Sequence, residues 1–156
     1  MKNMLFLLLL GTGLYFGYHF VTDNGLPGST KIDRLVVRKS ERRLEAYAKG
    51  ELVKNYTIAL GKQPEGDKQF QGDNKTPEGF YTINDKNPYS GYHKNLCISY
   101  PNASDRREAA LLGQPVGSNI RIHGLPNKMP FIGKWHRFID WTAGCIAVTN
   151  DEIDEL

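Results

Sequence analysis

Cysteine is scarce, with 2 in 156 residues, too few for the stapled frameworks of small secreted scaffolds. Neither cysteine belongs to a C-x-x-C pair and the 4 histidines show no H-x-x-x-H spacing, so there is no metal-ligand motif and no cofactor is called for. Charge of one sign is not in excess. Lys and Arg number 20 against 17 Asp and Glu, a net charge of +3, and the charges are interleaved along the chain. That excludes the basic stripe on which nucleic-acid binding rests. No repeat or low-complexity stretch is present, and 40% hydrophobic against 24% charged residues excludes a disordered chain. A length of 156 residues leaves room for one domain with a sizeable core and excludes two.

Long hydrophobic runs are absent except at the start, where MKNMLFLLLLGTGLYFGYHF sets Lys2 ahead of an apolar run from Met4 to about Phe16. This reads as an export signal. No small-x-small cleavage site follows in FGYHFV, so residues 1–21 are expected to be a signal anchor rather than a cleaved signal peptide. Tyr15, Tyr18 and Phe20 suit the membrane interface, and the rest of the chain would stand in the cell envelope, at the periplasmic face of the inner membrane or free in the periplasm. Residues 22–32 read as a linker and 33–156 as the domain.

The domain is expected to be mostly β. RLVVR (34–38), RLEAYA (43–48) and VKNYTIAL (53–60) are rich in strand formers and separated by turn residues, which predicts an antiparallel meander. Further strands are expected in GFYTI (79–83), LCISY (96–100), NIRIH (119–123) and CIAV (145–148). Two short helices complete the reading. One is SDRREAALLG, with Ser104 as cap and Gly113 as stop; the other starts at Asn150, where Asp151 and Glu152 favour the helix N-terminus.

A reactive side chain after glycine is a plausible nucleophile, because a backbone without Cβ admits a carbonyl and leaves N–H groups to hold an oxyanion. Gly144-Cys145 meets that description, and His123, ending a predicted strand ahead of Gly124, is the best-placed base. By residue type alone each has a structural alternative, inert core filling for the cysteine and packing for the histidine. Cys97, alternating inside LCISY, is expected to be a small core residue, and His93 and His136, in polar loop contexts, to be surface residues, with the cleft as the alternative for His136.

The wording around these residues is more specific. IHG at 122–124, TAGCIAV at 142–148, GDNKTPEGFY at 72–81 and ALG at 59–61 together resemble the L,D-transpeptidase (YkuD) catalytic domain over residues 33–150. The resemblance implies a β-sandwich-like catalytic domain with one or two short helices. It assigns Cys145 as nucleophile, His123 as base, the Gly124 carbonyl as the group that orients His123, and the Gly144 and Cys145 N–H groups as oxyanion donors. Beside the resemblance, Tyr100, ahead of Pro101-Asn102, Thr142 and Trp141 are candidate substrate contacts, with packing as the alternative for Trp141. The implied reaction is acyl transfer on peptidoglycan tetrapeptide stems through a thioester, for cross-linking or protein attachment, with water as the alternative acceptor. Two positions depart from the family's pattern: Ala143 stands where His is frequent, and Ala147 where Arg or Asn is frequent. The spacer from His123 to Thr142 is long and aromatic, which implies a lid, and the chain stops at Leu156 where the family commonly continues into a further strand. A rival reading is a non-catalytic peptidoglycan-binding module stapled by a Cys97–Cys145 disulfide.

Overall fold

The computed structural model describes residues 25–156; the expected membrane segment, residues 1–21 with His19, lies outside them. Among the described residues no helix is long and apolar enough to cross a membrane. The first sheet is the expected meander: β1 (Arg34–Arg38), β2 (Arg43–Ala48) and β3 (Glu51–Thr57) pair antiparallel in that order. Lys49 and Gly50 both take positive φ between β2 and β3, as a two-residue hairpin turn demands. Residues 53–60 divide in two. β3 ends at Thr57, and Ala59 then exchanges backbone hydrogen bonds of 3.0 and 2.8 Å with Ala147, tying this stretch to the second sheet.

The second sheet runs β4 (Ile83–Ser90), β5 (His93–Ile98), β6 (Arg121–His123) and β7 (Ile146–Ala147), antiparallel except for the parallel β6–β7 pair. The expected strand at 79–83 is not formed. Gly79 has φ +129° and Phe80 is 99% exposed, with only Tyr81 turned inward against Tyr100 and Asp105, and the strand starts instead at Ile83. β4 is an edge strand with two bulges, exposed on both faces, which is why INDKNPYS shows no alternation and why Pro88 is tolerated.

The core lies between the sheets, built from Leu44, Tyr56, Ile58, Leu96, Ile122 and Ile146 among others. Leu26 and Ile32, within the stretch read as a linker, pack against it. Helix α1 (Ala103–Leu111) starts one residue before the expected cap: Asn102 Oδ1 accepts from the Ser104 and Asp105 N–H groups, and Asp105 accepts from the Asn102 N–H in return. Helix α2 (Asn150–Glu155) has Thr149 as cap with Glu152 reciprocating. The spacer between His123 and Thr142 holds a 3-10 segment, Pro130–Phe138, kinked at Gly133.

Candidate active site

Alternation along β6 creates the site. Ile122 joins the core, so Arg121 and His123 stand on the other face of the sheet. The register carries that face sideways. Asn95 pairs with His123 and Cys97 with Arg121, while across β6 Ile122 pairs with Ile146 and His123 with Ala147. Cys145, one residue before β7, therefore falls beside Arg121. A cleft of about 430 Å³ opens here, with Cys145, His123, Arg121, Asn95, Tyr92 and Trp141 in its wall.

His123 Nδ1 lies 2.7 Å from the Gly124 carbonyl. A carbonyl only accepts, so Nδ1 carries the proton and Nε2 the lone pair. Gly124 has no room for a side chain, since a Cβ would sit 2.8 Å from Asn150 Oδ1. The ring packs against Tyr92 at 4.6 Å between centroids and against the edge of Trp141 at 5.7 Å. Burial lowers the His123 pKa from 6.5; the Gly124 hydrogen bond opposes this, and the Arg121 charge assists it. The imidazole is thus neutral at neutral pH.

Cys145 sits on a loop held by Thr142, whose hydroxyl donates to the Cys145 carbonyl at 2.7 Å and accepts from the Gly144 N–H at 3.1 Å. Behind the loop, backbones are in direct contact. Gly144 has φ +130° and a Cβ there would lie 2.6 Å from the Lys75 carbonyl; at Gly61 it would lie 2.1 Å from the Asn74 carbonyl. The buried Lys68–Asp73 ion pair, 2.7 Å, anchors the segment that supplies those carbonyls. The thiol donates to the Asn119 carbonyl at 3.6 Å. Burial pushes its pKa above 9.0, against the pull of the Arg121 backbone N–H and the Arg121 and Lys68 charges. Among the described residues no hydrogen bond joins Cys145 to His123, although both line one cleft.

A thiol and a neutral imidazole with its lone pair free, facing one cleft, can form and resolve an acyl-thiol bond. The family model described as the YkuD L,D-transpeptidase catalytic domain matches residues 32–156. The chain belongs to the YkuD family. It is 38% identical over 125 residues to the protein named "Putative L,D-transpeptidase YafK" of Escherichia coli K12, and equally to that of strain O157:H7, covering 76% of this chain and 43% of each relative. Among solved structures it is similar to Bd1075 of Bdellovibrio bacteriovorus, with a TM-score of 0.56 and 26% identity over 85% of this chain and 45% of that one. The chain thus spans less than half the length of these relatives.

The YkuD domain brings Cys145, His123, Thr142 and Trp141 to the cleft and leaves other candidates elsewhere. Tyr100 is buried away from the cleft lining, its hydroxyl donating to the Val116 carbonyl at 2.9 Å and its ring against Tyr81. The Gly144 N–H, expected to hold an oxyanion, donates to the Thr142 hydroxyl at 3.1 Å. His136 is not a surface residue: it is buried, with neither ring nitrogen hydrogen-bonded, because the kinked 3-10 segment turns it inward while Trp135 stays exposed. His93 is half-exposed and pairs with Asp154 at 2.7 Å. Cys97 is half-buried on the polar face, its thiol 3.4 Å from Asn95 Oδ1, since the strand's core position goes to Leu96.

Both cysteines are free. They stand on either side of β6, two strand spacings of about 4.8 Å apart, beyond the reach of about 7 Å between Cα atoms that a disulfide needs. Sequence reading missed Arg121, Asn95 and Tyr92. For Arg121 the signal was present, because it lies two residues before His123 in a strand and so shares its face. Asn95 reaches the cleft by pairing with His123 across strands and Tyr92 from the β4–β5 turn, placements that a single sequence does not display.

Proposed function

We propose that this YkuD domain is a peptidoglycan L,D-transpeptidase acting through a Cys145 thioester on tetrapeptide stems, in cross-linking or protein attachment, at the periplasmic side of the envelope with residues 1–21 in the membrane. The observation that carries the reading is the His123 tautomer: the Gly124 carbonyl holds the Nδ1 proton at 2.7 Å, so Nε2 is free to act as base in the cleft that holds the Cys145 thiol.

The thiol swings from the Asn119 carbonyl toward Nε2 and gives up its proton as sulfur attacks the carbonyl carbon of the third stem residue, in the amide that joins it to D-alanine. The oxyanion that forms faces the Cys145 N–H. As the C–N bond breaks, the imidazolium protonates the departing D-alanine, leaving a thioester. An amine of a second stem or of a protein then attacks; His123 takes its proton and returns it to sulfur as the C–S bond breaks. With water in place of the amine, the same cycle is a carboxypeptidase.

Incubation of the protein with defined tetrapeptide muropeptides, followed by mass analysis, tests this. Cross-linked dimers are expected; tripeptides alone would assign hydrolysis, and unchanged stems would overturn the reading. Cys145→Ala should abolish turnover, and His123→Ala should lower the rate about 10²–10⁴-fold.

A further inference from the structure

The cleft is lined by Lys62 and Arg121 but by no Asp or Glu. Three of its wall residues hold a buried N–H group that no acceptor satisfies among the described residues: Arg121 Nε, Asn95 Nδ2 and Trp141 Nε1. Asn95 itself is 1% exposed. Buried donors without partners are rare because they are costly. Three around one cleft with no carboxylate opposite them match a ligand that brings its own acceptors. Arg121 is the centre of this group. The other half-buried arginines each have a carboxylate, Arg42 with Asp140, Arg43 with Glu45 and Arg137 with Glu152. Among the described residues the Arg121 side chain reaches only the amide oxygen of Asn119, at 3.4 Å. The register sets it between Cys97 and Cys145, so its guanidinium flanks the nucleophile, and a guanidinium takes a carboxylate through two parallel hydrogen bonds.

We propose that Arg121, supported by Asn95, is the specificity-determining residue of this cleft and selects acyl donors carrying a free carboxylate within one residue of the scissile amide. The proposal rests on the acyl-transfer reading above. The carboxylate has two sources, the terminus of the departing residue or a side-chain carboxyl of the acyl residue.

Two measurements on the full chain decide it. The first needs no turnover: Cys145 is alkylated with iodoacetate and with iodoacetamide, and its adduct is mapped by mass. Arg121→Gln should lower the iodoacetate-to-iodoacetamide rate ratio about tenfold at low salt, and Arg121→Lys should hold it within about threefold of the parent. Any change in thiol ionisation cancels in the ratio. A ratio within twofold of the parent in Arg121→Gln overturns the proposal. The second measurement compares a free-acid tetrapeptide with its C-terminal amide and its side-chain amide. Arg121→Gln should raise KM for the free acid about tenfold, leave kcat within about threefold, and have no effect on the amide of whichever carboxylate is read. Equal losses on all three substrates overturn the assignment. If no stem is turned over but the alkylation ratio responds, the carboxylate site stands and the peptidoglycan reading falls.

Discussion

His123 and Cys145 meet neutral pH as an uncharged pair, because burial lowers the imidazole pKa and raises that of the thiol. Only the unprotonated imidazole can accept the thiol proton, so kcat/KM should hold as pH falls to 6.5 and drop below it. A pH–rate profile with its acid midpoint above 6.5 would refute this. Gly124→Ala tests the residue that orients the base. Its Cβ would press on Asn150 Oδ1 at 2.8 Å and on the Tyr92 carbonyl at 3.1 Å, shifting the carbonyl that holds Nδ1, and a fall in kcat of about 10²-fold is expected. His136 governs stability rather than rate. Buried and without hydrogen bonds, it is depressed from 6.5 to about 4, first by burial and then by the Arg137 and His123 charges. Unfolding lets it bind a proton the folded state refuses, so its stabilisation is complete above pH 6.5 and is lost as pH falls toward 4. The loss is on the order of 3 kcal/mol. Melting curves over that range should flatten in His136→Leu.

Among the elements, the Thr142–Cys145 loop shows how little of a site resides in its reactive groups. Thr142→Val deletes both hydroxyl hydrogen bonds, at 2.7 and 3.1 Å, and should cost about 1–3 kcal/mol in stability and about tenfold in kcat. Thr142→Ser should restore both, as melting and kinetics will report. The residue types at 142–145 were legible in the sequence; the close backbone approach behind the loop was not, since it brings Gly144 against the Lys75 carbonyl from a distant part of the chain. β1 and β2 could be read to the residue because alternate apolar side chains, Leu35 and Val37 in one and Leu44 and Ala46 in the other, pack on the core and turns bound both strands. β4 could not, because an edge strand exposed on both faces leaves no alternation. Conversely, GFYTI has strand composition but no partner surface at Phe80, so propensity yields there to the lack of burial. The start of α2 was legible to the residue and the cap of α1 to within two, as capping side chains are local and Asn102 and Ser104 both suit the role.

At the scale of the molecule, His123 ends β6 and Cys145 immediately precedes its parallel neighbour β7. A parallel pair cannot be closed by a tight turn and requires a crossover; here that crossover is residues 124–145. Its far end is clamped: Asp140 accepts from Arg42 Nε and Nη2 at 2.9 and 2.8 Å and from the Leu60 N–H at 2.8 Å. Asp140→Ala should lower stability by about 1–3 kcal/mol, measurable by denaturant unfolding. Between the clamps the crossover leaves Met129, Phe131 and Ile139 exposed. Doubling the length of such a segment costs only about 0.6 kcal/mol of closure entropy. Two residues inserted between Lys128 and Met129 should therefore lower stability by less than about 1 kcal/mol in denaturant unfolding and leave Cys145 alkylation by iodoacetamide as it was. A domain built this way divides its chain into two parts. The paired strands set where His123 and Cys145 stand relative to each other, and the crossover can vary in length at little entropic cost without disturbing that pairing.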